Sequence, residues 1–180
     1  MRTPLLKLCR RAPLLLAMLA VPGRAEPTAT VDDDGHFAAT FPAEVSRSNQ
    51  ILDTDAGQII MCKANAAQAG ASFVVIYCDY PEGYVAGTGA PGIFKAAAKD
   101  AADQAKGSVR SQSDCKLGDV AGVEVLIDGP NKGFVERIRL FAVGDRLFQV
   151  QYRGRPGSET GKDALGFLDS FRLLPVPAPR

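Results

Sequence analysis

A chain of 180 residues that is 46% hydrophobic and 23% charged carries enough apolar matter for one core, which excludes extensive disorder in its body. Its 21 basic and 20 acidic residues give a net charge of +1, and no basic cluster lies in that body. Nucleic acid and anionic lipid are therefore not expected partners.

Residues 1–25 begin with Arg2, Lys7, Arg10 and Arg11, pass through an apolar run over 12–21, and end in Gly23-Arg24-Ala25. This is the layout of a secretory signal peptide. The run is too short for a membrane span of about 20 residues. Cys9 precedes it instead of closing it, so it is not a lipoprotein cysteine. Cleavage is expected to leave 155 residues with a net charge of −4 and three cysteines. The product would work in the periplasm or as a secreted protein, without membrane insertion.

Residues 26–35 are short and polar and read as a flexible N-terminal segment. Residues 36–41, after the turn-forming Asp32-Asp33-Asp34-Gly35 and before Pro42, read as a first strand. Residues 57–63 and 71–79 are rich in Ile and Val and predict a hairpin across the small polar stretch 64–70. Both alternating faces of 73–78 are apolar, which places that strand centrally in a sheet. Over 93–106, Ile93, Phe94, Ala97, Ala98, Ala101 and Ala105 form one helical stripe, and Gly107 supplies a stop. Residues 120–127, 134–143 and 146–153 predict three more strands, the last two joined by a Gly144-Asp145 turn of type II′. A helix starting near Thr160 carries Ala164, Phe167, Leu168 and Phe171 on one face. Residues 175–180 form a proline-rich tail. The fold class is α+β, a mainly antiparallel sheet of about six strands packed by two helices, in a single domain over 36–174.

Three pieces carry a family likeness: His36-Phe37 to Phe41-Pro42, Phe73-x-Val75-x-Tyr77-x-Asp79-x-Pro81, and Phe141 to Val150 continued by Gly166 to Leu173. Together they resemble a group of uncharacterised exported bacterial proteins with a PsbP-like α/β/α sandwich. The resemblance implies that fold and an accessory or binding role, and it brings no catalytic set with it.

Cys62, Cys78 and Cys115 remain after cleavage, and an oxidising compartment favours pairing two of them. In the predicted hairpin Cys62 lies beside the loop and Cys78 near the far end of its strand, roughly 15 Å away, whereas a disulfide needs Cα atoms within about 7 Å. A helix running back toward the loop would deliver Cys115 near Cys62. The expectation is a Cys62–Cys115 disulfide with Cys78 as a free, buried thiol.

The single histidine, His36, sits at a predicted strand start with no nucleophile at a telling spacing, and no His/Cys cluster suggests zinc. Asp32-Asp33-Asp34-Gly35 lacks the ligand spacing of a calcium loop and reads as a solvated turn. Gly87-Thr88-Gly89-Ala90-Pro91-Gly92 matches G-x-G-x-x-G, but residues 81–86 separate it from the preceding strand and Pro91 removes an amide. A phosphate cradle is not expected there. Across the predicted Gly144-Asp145 turn, Arg137 opposes Tyr152 and Arg139 opposes Val150, so two arginines share a face with large apolar groups. Arg137, Arg139 and Tyr152 are thus the candidate ligand- or partner-binding residues.

The functional reading is an exported, non-catalytic domain that binds a small ligand or an envelope protein partner, without cofactor or metal. Two alternatives stand beside it. One is an exported enzyme working from loop 81–92 or through a reactive thiol at Cys78; the other is a structural accessory subunit of an envelope assembly.

Overall fold

The computed structural model describes residues 27–54 and 56–175. The segment read as a signal peptide and nearly all of the proline-rich tail lie outside the described residues. Within them the strands are Thr28–Asp32 (β1), Phe37–Phe41 (β2), Ser46–Thr54 (β3), Gly57–Gln68 (β4), Ala71–Asp79 (β5), Ser108–Leu117 (β6), Val120–Asp128 (β7), Val135–Val143 (β8), Arg146–Gly154 (β9) and Arg172–Leu173 (β10). The helices are Tyr84–Thr88 (α1), Ala90–Gln104 (α2) and Lys162–Ser170 (α3). Seven strands form a sheet in the order β3-β4-β5-β9-β8-β7-β6, and a second sheet has the order β1-β2-β10. Every ladder is antiparallel. The class is α+β, as expected.

Alternation along the central strands builds two cores. Phe73, Val75, Tyr77, Phe148, Val150 and Tyr152 point to one face, where Phe37 and Phe41 of β2 and Phe167 and Leu168 of α3 cover them. Ile138, Leu140, Leu147, Val125 and Ile127 point to the other, under Ile93, Phe94, Ala97 and Ala98 of α2. The alanines of α2 keep the helix close to the sheet, and β5 is buried on both faces, as its sequence requires. The Gly144-Asp145 turn forms as read: Val143 pairs with Arg146, and Gly144 takes φ +60°.

Four expectations change. Residues 28–32, expected as part of a flexible segment, form β1 because Val31 and its neighbours complete a five-residue ladder with the buried β2. β3 and β6 are additional strands, and they lie at the two edges of the large sheet. The loop expected over 64–70 shrinks to Ala69-Gly70, where both φ angles are positive (50° and 78°), the signature of a type I′ hairpin. With the short β10 as a fourth additional strand, the described residues hold ten strands and three helices instead of about six and two, the extra helix being α1 in loop 81–92.

Candidate functional site

The candidate arginines lie where the hairpin register puts them, Arg137 opposite Tyr152 and Arg139 opposite Val150. Their charge is met within the chain. Arg137 Nη2 donates to Glu124 Oε1 at 2.7 Å and its Nη1 to the Glu159 carbonyl at 2.9 Å. Arg139 Nε donates to Glu124 Oε2 at 2.9 Å, and its Nη1 reaches Asp169 of α3 at 2.8 Å. Burial alone would raise the Glu124 carboxyl, but the two arginines outweigh it and hold the group below its ordinary value. Arg110 extends the chain of charges by binding both Asp128 and Glu159. Tyr152 donates its hydroxyl to Ser158 Oγ at 2.8 Å and lies edge-on to Phe73. The three residues form a strut between the sheet, the turn before α3 and α3 itself.

The three cysteines among the described residues are unpaired. With the turn moved to Ala69-Gly70, Met61 faces Cys78 and Cys62 faces Tyr77, so Cys62 and Cys78 are neighbours in register that point to opposite faces. The Cys62–Cys115 pair fails because β9, β8 and β7 enter between β5 and β6. Five strand spacings separate the two residues, about 24 Å. Cys78 is the buried thiol expected: burial, then the charge of Asp79, push its pKa up to about 12. Such a thiol is protonated at neutral pH and is a poor nucleophile. Cys62 opens instead onto a depression of about 590 Å³ beside the Asp32–Asp34 turn.

Loop 81–92 is ordered and consumes its own amides. Gly87 N–H donates to Gly83, Gly89 to Val85, and both Gly92 and Ile93 to the Gly89 carbonyl. A phosphate would find those donors occupied. His36 lies in the turn before β2 with φ +52°, where its carbonyl accepts the Leu174 N–H at 2.8 Å. Asp32, the last residue of β1, accepts the Gly35 N–H across that turn at 2.7 Å and pairs with Arg47. Among the described residues no three His, Cys, Asp or Glu side chains gather as a metal site, and no helix is long and apolar enough to cross a membrane.

What the sequence reading missed is a groove. α2 covers β7, β8 and the near side of β9 but stops short of Met61 and Lys63 on β4 and of the half-buried Ile76 on β5, leaving a cavity of about 250 Å³ along the helix. Ile59, Met61, Ile76, Cys78 and Leu147 give it an apolar floor. Gln149 and Gln151 stand in that floor, the amide of Gln151 donating to Gln149 Oε1 at 3.0 Å. At one end the buried Glu136 is paired with Arg153, whose guanidinium lies 4.5 Å from the Phe134 ring centre. Asp100 of α2 is exposed on the rim. Lys63 is half-buried on β4, one strand from Gln149 across Ile76, and has no ion-pair partner among the described residues. The sequence did carry a signal: Gln149-x-Gln151 interrupts a strand whose other positions are apolar or at its ends. A polar pair facing a fully covered sheet side would need partners, whereas facing a groove it can offer donors and acceptors.

No family model and no curated protein matches the sequence. Among solved structures the chain is similar to the solution structure of cyanobacterial PsbP (CyanoP) from Synechocystis sp. PCC 6803, with a TM-score of 0.58 and 10% identity over 88% of this chain and 98% of that one. The fold is PsbP-like, and at that identity the likeness concerns the fold alone.

Proposed function

We propose that this chain is an exported, non-catalytic binding domain, periplasmic or secreted, and that the groove between α2 and β4-β5-β9 takes a small organic anion with an apolar body. The observation that carries the reading is Lys63, a cation held half-buried beside an apolar floor with no ion-pair partner among the described residues. A partly desolvated, unpaired cation is costly in the empty state and attracts an anionic group. Gln149 and Gln151 supply hydrogen-bonding capacity next to it, while Met61 and Ile76 offer contact to a short hydrocarbon. Asp100 stands in solvent on the rim, so Lys63 sets the sign of the interior. The layout of residues 1–25 supports export.

Titration with hexanoate and octanoate, followed by NMR shifts of the Met61 and Ile76 methyl groups, tests the reading. Both should bind, and Lys63→Gln should weaken them by roughly tenfold, the scale of one charge-assisted hydrogen bond. Equal affinity in the variant rejects the site. Native mass spectrometry of protein taken from the periplasm or medium adds the identity of any retained small molecule. A stoichiometric co-purifying protein with no ligand would instead favour the accessory-subunit reading.

A further inference from the structure

We propose that two copies of this chain associate edge to edge through β3, antiparallel, with Gln50 of each copy on the two-fold axis. The hairpin turns decide which backbone groups of β3 are free. The two-residue Ala69-Gly70 turn makes Gln68–Ala71 a hydrogen-bonded pair, so even-numbered residues of β4 bond to β5 and odd-numbered ones to β3. Through the β3–β4 register, Ser48, Gln50 and Leu52 are bonded inward, which leaves the N–H and C=O groups of Arg47, Asn49, Ile51 and Asp53 facing outward.

This edge keeps an open and regular backbone, its charges being confined to Arg47 and Asp53. Its register with β4 runs unbroken over nine residues, and it contains no proline. The opposite edge, β6, is protected: its register breaks between Val109 and Ser111. A long regular edge without such a break is a template for strand addition.

The side chains of β3 select the partner. A two-fold axis at Gln50 sets Arg47, which is half-exposed and already pairs through Nε with Asp32 of its own chain, opposite Asp53 of the second copy, twice, and Asn49 opposite Ile51, twice. All of these are outward-bonding positions, so the ladder continues with correct hydrogen bonding. Sliding one strand by two residues either way takes Asp53 away from Arg47. The same register brings the two Ile51 side chains diagonally together on one face, about 7–8 Å apart. Ile51 is 65% exposed and its cross-strand neighbour Ile60 54%, and the pairing covers this apolar spot. Cross-strand charge pairs and apolar pairs are what specify an antiparallel register.

Sedimentation velocity of the full chain should give a dimer. Asp53→Arg, an exposed change that sets arginine against arginine, should weaken it by at least roughly tenfold, and R47D/D53R should restore it. Register is read by cysteine: Gln50→Cys lies opposite itself on the axis and should cross-link the dimer on mild oxidation, whereas Ser48→Cys lies about 14 Å from its counterpart and should not. The native cysteines are present in both variants and cancel. A chain that stays monomeric at about 200 μM, or a Gln50→Cys protein that cross-links no better than Ser48→Cys, overturns the proposal.

Discussion

The carboxylate of Asp145, in the turn between β8 and β9, accepts the backbone N–H of Val85 at 3.0 Å and that of Gly83 at 2.7 Å, 60 and 62 residues upstream. A turn residue of one hairpin thus caps the short helix that follows β5. The Tyr80 N–H adds a third link, to the Asp145 carbonyl at 2.9 Å. Asp145→Ala removes both carboxylate bonds and should cost about 1–2 kcal/mol. Urea unfolding would report the loss, and amide exchange should accelerate over residues 83–88 first. Unchanged exchange there would show that α1 does not depend on this cap.

Acid should unfasten the strut beneath α3. Glu124 is held below its ordinary value of 4.5 by Arg137 and Arg139 against the opposing effect of burial, and Glu159 is lowered as well, its own burial being outweighed by hydrogen bonds that include Arg110. A carboxylate whose folded value is depressed contributes stability that is fully present above its unfolded value and lost as pH falls through the folded one. Stability should therefore drop as pH falls below about 4.5, and Glu124→Gln should flatten that acid limb while lowering stability at neutral pH. Urea midpoints measured across that range decide it, and parallel curves for the two proteins would refute the assignment.

Native-state alkylation should separate the cysteines. Cys78 is 4% exposed with its pKa near 12, whereas Cys62 and Cys115 are partly exposed. Iodoacetamide followed by mass spectrometry should modify Cys62 and Cys115 well before Cys78, which should react only on unfolding. Labelling of Cys78 at the rate of Cys62 would revive a thiol-based enzyme.

Gly122 marks a point where β7 and β8 approach too closely for a side chain. A Cβ placed there would lie 2.3 Å from the Leu140 carbonyl oxygen and 2.4 Å from the Phe141 ring. The ring could turn, but the carbonyl belongs to the ladder and cannot. Gly122→Ala should therefore destabilise the fold by about 3 kcal/mol, the cost of overpacking against fixed backbone. A thermal midpoint within a degree or two of the parent would disprove the clash.

The parts of the fold legible in the sequence are those where burial imposes a period. β5, β8, β9 and the stripe of α2 carry that imprint, and the Gly144-Asp145 turn sets its own register. β3 and β6 carry none, because Ser46–Thr54 and Ser108–Leu117 are exposed along nearly their whole length. The alternation of β4 is hidden differently: Ala64 and Ala66 are buried, but alanine reads as a loop residue when flanked by Lys63, Asn65 and Gln68. That one displaced turn misplaced Cys62 relative to Cys78, while the expected disulfide to Cys115 fails on strand order. The arginine face was legible, but Glu124, 13 and 15 residues away, gives no sign in the sequence that it meets both guanidiniums. The groove was invisible because it depends on where α2 stops covering the sheet.

The seam between β5 and β9 orders events in time. Strands β3 to β5 form one meander and β6 to β9 another, and the large sheet exists only once Ala71–Asp79 meets Arg146–Gly154. A chain that emerges N-terminus first presents β5, apolar on both faces, with an open edge until some 70 further residues have followed. Contacts of such separation form late, and an apolar strand waiting for its neighbour is open to the wrong one. Delivery of this protein, more than its final stability, sets the interval during which it needs protection.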